Sequence, residues 1–411
     1  MTMINTMSTG EKWREVKAGD IFGFVRSHAF SRDNLVNGLI DSGHVGNIHY
    51  GDIHSTYNSP SINLEKISIP LIKDLDFDPA KDDLLIDGDL AMADASEDYE
   101  GVGVTVLVDG IGNNKVVGGL HTFVLRDKEG LTNKYYRQYI FRNPLVRNKL
   151  QKIANGVSVY GISKTAVSKI VLPIPPIQEQ NRIVAVLEAW DGAIERLAKK
   201  IEIKKNIKKG LMQRLLTGKL RLSGFSEAWQ VVKLKNVCTI QKGVQLNKNN
   251  MVADGSYPAL NGGVLASGYT NKYNTEASTI TISEGGNSCG FVNFSKNKFW
   301  CGGHCYAVKP RNGIDNLFLY QILKSKQDVI MALRVGSGLP NIQKKSLDDL
   351  KIKMPESIKE QNAIANILVV ADYEVEALES QLRIIKDQKK YLLNNLITGT
   401  IRTPETLTIN V

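Results

Sequence analysis

The sequence has only four cysteines in 411 residues, too few for a disulfide framework in a chain of this size and consistent with a reducing compartment. No apolar run approaches the roughly 18 residues that a bilayer crossing needs. The opening MTMINTMSTGEKW lacks the charged-then-apolar layout of a secretion signal, and residues 1–12 read as an unstructured leader. A cytoplasmic protein with no membrane partner is the expectation. Metal motifs are missing too. Asp74, Asp76 and Asp78 copy the start of a calcium loop, but Pro79 stands where glycine is needed and Leu85 where the bidentate glutamate belongs. Cys301 and Cys305 are spaced Cys-x3-Cys, but Cys238 and Cys289 form no second short pair to complete a structural zinc site, and neighbours such as His304 and Cys305 point to opposite faces of a strand. No metal is expected.

What is present is length, positive charge and repetition. A chain of 411 residues suits two to four compact units. Its 52 Lys and Arg against 42 Asp and Glu give a formal charge of +10, which favours a polyanionic partner over an acidic small molecule. Residues 174–197 read IPPIQEQNRIVAVLEAWDGAIERL, and residues 354–378 read MPESIKEQNAIANILVVADYEVEAL. Ile183, Leu187, Trp190, Ile194, Leu197 and Ile201 recur at alternating steps of four and three, the a/d seam of a coiled coil. Ile364, Leu368, Ala371, Val375, Leu378, Leu382 and Ile385 repeat that seam, and Leu392 and Leu396 extend it. Lys204, Lys208 and Lys389 interrupt the two copies at seam positions, where they either fix register or fray the pairing.

Prolines precede both helices, and LLTGKLR (215–221) and LITGTIR (396–402) follow them, each placing a glycine where a left-handed stop belongs. The repeat reaches further upstream. GISKTAVSKIVLPIPP (161–176) parallels NIQKKSLDDLKIKMPE (341–356), and WREVKAGDIF (13–22) parallels WQVVKLKNVC (229–238). Between these lie variable stretches rich in Gly, Asn, Ser and Tyr, with β-like runs such as VGVTVLV and STITIS. KVVGGLHTFVLR (115–126) sets onto KFWCGGHCYAVK (298–309) when Gly118 and Gly119 meet Gly302 and Gly303, with His121 then opposite Cys305 and a slip of one residue allowed. A double glycine in a strand pattern signals a bulge or a close backbone approach.

These segments together resemble the specificity subunit of type I restriction-modification systems. The resemblance rests on PPIQEQNRI, the heptad helix, LLTGKLR, KEQNAI, LITGTIR and the stretch from ISEGGNSCG to FWCGGHCY, and it covers residues 13 to about 403. It implies an α+β chain with an internal pseudo-twofold repeat, in which two globular target recognition domains are separated by two long antiparallel coiled-coil helices. The boundaries expected are leader 1–12, first recognition domain 13–155, first conserved region with its helix 156–225, second recognition domain 226–335, and second conserved region with its helix 336–411. The resemblance further implies a non-catalytic subunit that reads double-stranded DNA, one half of a bipartite asymmetric site per domain, with the helices setting the spacer. Two modification subunits with adenine-N6 methyltransferase activity would dock on it and carry the S-adenosylmethionine, and restriction subunits would join. A scaffold that organises partners without reading DNA is the alternative.

The residues agree with a chain that holds no cofactor. Asn143-Pro144 is followed by Leu145, so no (Asp/Asn)-Pro-Pro-(Tyr/Phe) loop of an amino-methyltransferase is written there. Gly101-Val102-Gly103 lacks a third glycine and a following amphipathic helix, and both segments read as turns. For DNA, cationic and small polar side chains hold phosphates, whereas Asn, Gln, Arg and Lys at base edges read sequence. QKGVQLNKNN and ASGYTNKYN supply both kinds, which selects Lys242, Lys248, Asn249, Tyr269, Asn271 and Lys272 in the second domain. In the first, the candidates are Arg26, His28, Arg32, His49, Tyr50, Asn113, Asn114 and Lys115, each weighed against an ordinary polar loop. His44, His49 and His54 recur every five residues, a period of neither helix nor strand face, and the basic run 199–214 reads as a solvated helix face.

Overall fold

A computed structural model describes residues 11–407 except 42, 58, 337 and 339. The leader therefore falls almost wholly outside the described residues. The chain divides into two compact units, residues 1–195 with 383–411 and residues 196–382.

In the first unit the β-branched and apolar runs form β1 (Phe22–Val25), β2 (Val45–Ile48), β3 (Leu90–Ala93), β4 (Lys115–Gly118) and β5 (Thr122–Asp127). One sheet has the order β1, β5, β3, Thr105–Asp109, Ser61–Asn63; a second has β4, β2, Ile69–Ile72, Leu35–Gly38. Strands β2 and β4 run parallel, with Lys115 opposite Val45 and Gly118 opposite Ile48. Helix α1 (Ile177–Leu215) starts in this unit and ends in the second. The second unit repeats the plan with β6 (Cys238–Lys242), β7 (Tyr257–Leu260), β8 (Thr279–Ser283), β9 (Trp300–Cys301) and β10 (Cys305–Pro310). Its sheets read β6, β10, β8, Val292–Ser295 and Gly268–Thr270, β7, β9, and the pair β7 and β9 is again parallel. Helix α2 (Ile358–Thr398) starts here and ends in the first unit.

The repeated segments turn out to be each other's partners. Arg14–Lys17 pairs antiparallel with Val171–Ile174, and Gln230–Lys233 pairs in the same way with Lys351–Met354. Within each unit the helix halves run antiparallel and join the local core. Ile183, Leu187, Leu396 and Ile397 pack with Phe22, Leu90 and Phe141 in the first unit. Leu215, Ile364 and Leu368 pack with Ile280, Val308 and Phe318 in the second.

The conserved wording around the helices builds one clamp twice. Trp13 donates its indole N–H to Glu179 at 3.0 Å, and Arg402 grips the same carboxylate at 2.6 Å through each of Nε and Nη2. In the second unit Trp229 and Arg221 hold Glu360 at 3.2, 2.8 and 3.0 Å. Each arginine also lies over its tryptophan ring, at 5.8 and 5.9 Å. The stop glycines are left-handed, Gly218 at φ 72° and Gly399 at φ 74°, and a side chain on either would press on the tryptophan at 3.3 Å. Gly218 N–H reaches Leu215 O and Gly399 N–H reaches Leu396 O, and Leu220 N–H reaches Arg214 O as Ile401 N–H reaches Asn395 O, so both helix ends close in the same way. Glu179 and Glu360 are almost fully buried. Removing one partner of such a pair leaves an uncompensated charge and costs about 3–5 kcal/mol.

Toward the middle of the helices the seam changes character. Trp190, Ile194, Leu197, Val375, Leu378, Leu382 and Ile385 are half-buried, because a pair of helices shields one face only, while Ile201 is buried. The interrupting lysines fix register. Lys204 pairs with Glu374 at 2.6 Å, Lys208 with Asp372, and Lys389 with Asp191, each lysine meeting a carboxylate of the other helix. Gln321 anchors Asp372 further, donating at 2.8 Å from a fully buried position.

Candidate nucleic-acid interface

Where two parallel strands end side by side, the residues that follow them are forced together. After β2 come His49 and Tyr50, and after β4 come Gly119, Leu120 and His121. Gly119 has no room for a side chain: a Cβ there would lie 2.2 Å from Asn47 Oδ1 and 2.8 Å from Ile48 O. In the second unit a Cβ on Gly302 would lie 2.5 Å from Asn261 Oδ1, and one on Gly303 2.8 Å from Gln245 Oε1. The double glycines do mark close approach, yet the alignment drawn through them is one residue out. Gly119 N–H bonds Ile48 O just as Gly302 N–H bonds Leu260 O, both at about the same length, 2.8 and 2.9 Å. Strands β5 and β10 accordingly begin at the equivalent residues Thr122 and Cys305. His121 therefore corresponds to His304, not to Cys305.

That register exposes a repeated corner. Thr122 pairs with Ala93 and Cys305 with Ser283, so Asp94 and Glu284 are equivalent. Asp94 N–H donates to His121 O at 3.0 Å, and Glu284 N–H to His304 O at 2.8 Å. The side chains meet as well: His121 Nδ1 lies 3.0 Å from Asp94 Oδ1, and His304 Nδ1 lies 3.7 Å from Glu284 Oε2. Val124 pairs with Val25 and Ala307 with Gln241, which makes Arg26 and Lys242 the next equivalent pair. Arg26 is exposed, and Lys242 bonds Glu284 at 2.6 Å. Tyr306 adds a phenolic donor to the same carboxylate at 3.2 Å.

The first-unit candidates separate into three places. Arg32 bonds Asp52 at 2.6 Å beside His49 and Tyr50. His49 is buried and caps the short helix Tyr50–Ser55, its Nδ1 accepting from Gly51 N–H at 3.1 Å. Burial first and the Arg32 charge next hold its pKa below the ordinary 6.5. Tyr50 sits among His49, His54 and His121 at ring separations of 4.9, 6.1 and 5.3 Å. His28, by contrast, is satisfied locally, 2.9 Å from Asp83 and edge-on to Phe77. Asn113, Asn114 and Lys115 lie at the start of β4, the far end from His121; Lys115 bonds Asp78 at 2.6 Å and Asn114 bonds Ile111 O at 3.0 Å. His44 pairs with Asp41 and His54 with Ala95 O, so the five-residue spacing of the histidines builds no common site.

In the second unit five of the six candidates gather along one sheet edge. Tyr269 is exposed on the edge strand Gly268–Thr270, exposed Asn271 and Lys272 follow it, and Val252 N–H bonds Tyr269 O. Exposed Lys248 and Asn249 are thereby carried to the same edge, with Asn247 accepting from Asn249 N–H at 3.1 Å. Lys242 stands apart at the His304 corner. All four cysteines are buried, and Cys301 Sγ lies 3.5 Å from Cys305 O. Among the described residues no group of three His, Cys, Asp or Glu is placed to hold a metal. His121, Asp94, His304 and Glu284 were not singled out from sequence for DNA. The signal existed in the echo of Gly-x-His before β5 and β10, and the misplaced register hid it.

Two divergent units of one topology, each built on half of each long helix, define an internally duplicated α+β protein. Residues 10–205 and 226–386 match the family described as the type I restriction modification DNA specificity domain, and the chain belongs to that family. A putative type I specificity subunit of Mycoplasma pneumoniae is 35% identical over 185 residues, 44% of this chain and 49% of that protein. The chain thus spans about half the length of that relative. A putative type I restriction enzyme specificity subunit of Methanocaldococcus jannaschii is 28% identical over 313 residues, 69% of this chain and 72% of the other. In fold, the chain is similar to the crystal structure of a type I restriction-modification S subunit from M. genitalium, with TM-score 0.59, 18% identity, and coverage of 96% of this chain and 99% of that one. It is also similar to the HsdS subunit of Thermoanaerobacter tengcongensis, with TM-score 0.53, 18% identity, and coverage of 97% and 100%.

Proposed function

We propose that this protein is the sequence-reading subunit of a type I restriction-modification assembly, each unit reading one half of a bipartite asymmetric DNA site. The observation that carries the reading is the repeated corner: a cation, a histidine and a carboxylate recur at equivalent positions of two units whose surrounding loops have diverged. Duplication keeps the frame and changes the surface, which suits two different half-sites. The formal charge of +10 supplies phosphate affinity without sequence information. The edge residues Lys248, Asn249, Tyr269, Asn271 and Lys272 supply the chemistry for groove contact.

The same reading assigns no catalysis to this chain. Two modification subunits, carrying adenine-N6 methyltransferase activity and S-adenosylmethionine, would dock on the helices, and restriction subunits would add to that complex. Helices α1 and α2 run from one unit into the other, so their length is suited to set the gap between half-sites. Methylation-aware sequencing of DNA from cells carrying this subunit with its methyltransferase tests the reading. One bipartite asymmetric motif is expected; methylation scattered without a motif would contradict it.

A further inference from the structure

The histidine–carboxylate pairs carry an assignment beyond DNA binding at large, and it rests on the sequence-reading function proposed above. We infer that His121 in the first unit and His304 in the second are specificity-determining residues, each accepting a hydrogen bond from an exocyclic amino group of adenine or cytosine in its half-site. Asp94 acts through His121 as a positioning residue.

Four observations converge on this role. Both imidazoles turn Nδ1 toward the carboxylate, at hydrogen-bond distance in His121 (3.0 Å) and at a looser ion-pair separation in His304 (3.7 Å), leaving Nε2 as the other nitrogen, and the side chains are 50% and 62% exposed. Both carboxylates are largely buried, 18% and 12% exposed; Asp94 orients the His121 ring by a hydrogen bond, while Glu284 is held by Lys242 and Tyr306 beneath His304. A neutral imidazole that gives its Nδ1 proton to a carboxylate presents a lone pair at Nε2, which suits the amino donors of adenine N6 or cytosine N4 in the major groove. Phosphate holding is the poorer match for the imidazoles, because a carboxylate against the ring repels a phosphate, and the cations Arg26 and Lys242 at the same corner are the groups suited to one. Finally, His121 is held at φ 49°, a left-handed conformation unusual for a side-chain-bearing residue. Asp94 fixes it twice, by the backbone bond and by the ring contact, and strain maintained in this way clusters at functional sites.

The test uses the complete subunit assembled with its methyltransferase. Its motif is first established for the unaltered protein, and duplexes bearing every single-base change are then compared by fluorescence anisotropy and by methylation. His121→Ala should flatten the preference at one position of one half-site by about tenfold, leaving the other half-site unchanged. His304→Ala should do the same in the opposite half. Asp94→Asn should weaken discrimination at the His121 position and Asp94→Glu should recover part of it, a pattern that a merely structural aspartate does not give. Melting temperatures close to that of the unaltered protein establish that the variants fold. Unchanged preference at every position in both histidine variants would overturn the inference, as would an equal loss across all sequences, the mark of a phosphate contact. An unaltered protein that shows no motif at all would instead overturn the broader reading.

Discussion

At the scale of single residues, the candidate interface is organised by side chains that other side chains hold still. His49 is the clearest case outside the carboxylate pairs. Its Nδ1 must stay unprotonated to accept from Gly51 N–H, and its folded pKa lies below 6.5 through burial and the Arg32 charge. A depressed pKa means that the neutral form is favoured by folding. The stability it contributes is complete above pH 6.5 and is lost as pH falls below that value through the folded pKa. Denaturant unfolding measured from pH 7.5 to 5 should therefore show a loss for the native protein that His49→Asn reduces, since Asn caps without titrating. Equal slopes in both proteins would remove His49 from the account. Much at this scale was illegible in the sequence. Arg32, His49 and Tyr50 read from sequence as loop residues, but their grouping with His54 and His121 depends on parallel pairing of β2 with β4, which no local pattern reveals. His28 looked equivalent in composition and proved to be occupied by Asp83.

At the scale of elements, the seam, the stops and the strand runs were readable because each rests on local periodicity or on one glycine. What periodicity could not show is that one seam serves two purposes. Its ends are core residues of the units, and its middle residues other than Ile201 are only half-buried. Leu368 is completely buried, whereas Leu378 is half-buried. Leu368→Ala should thus cost about 3 kcal/mol, within the range for an emptied core site, and Leu378→Ala about 1 kcal/mol. Equal costs in chemical denaturation would show that the seam is uniform. The length of the helices yields a second expectation. One heptad inserted between Leu197 and Ile201, matched by one between Leu378 and Leu382, keeps the seam in register and adds about 10 Å, or roughly three base pairs. The methylated motif should then carry a longer central gap or activity should vanish through misrotation around the duplex. An active variant with the original gap would show that the helices do not set the distance.

At the scale of the whole molecule, duplication explains why one chain writes the same segments twice. The Trp–Glu–Arg clamp, the glycine stop and the paired strands are kept because each is an interlocked set in which changing one member strands the others. The candidate DNA-facing loops carry no such constraint and differ between the two units, so their residues were the least legible part of the chain. The central claim is that the two units read independently. Replacing residues 226–335 by the equivalent region of a related subunit, and mapping the methylated motif of the resulting complex, tests it most directly. The account predicts that one half of the motif changes and the other half and the gap are retained; a motif altered in both halves would contradict it.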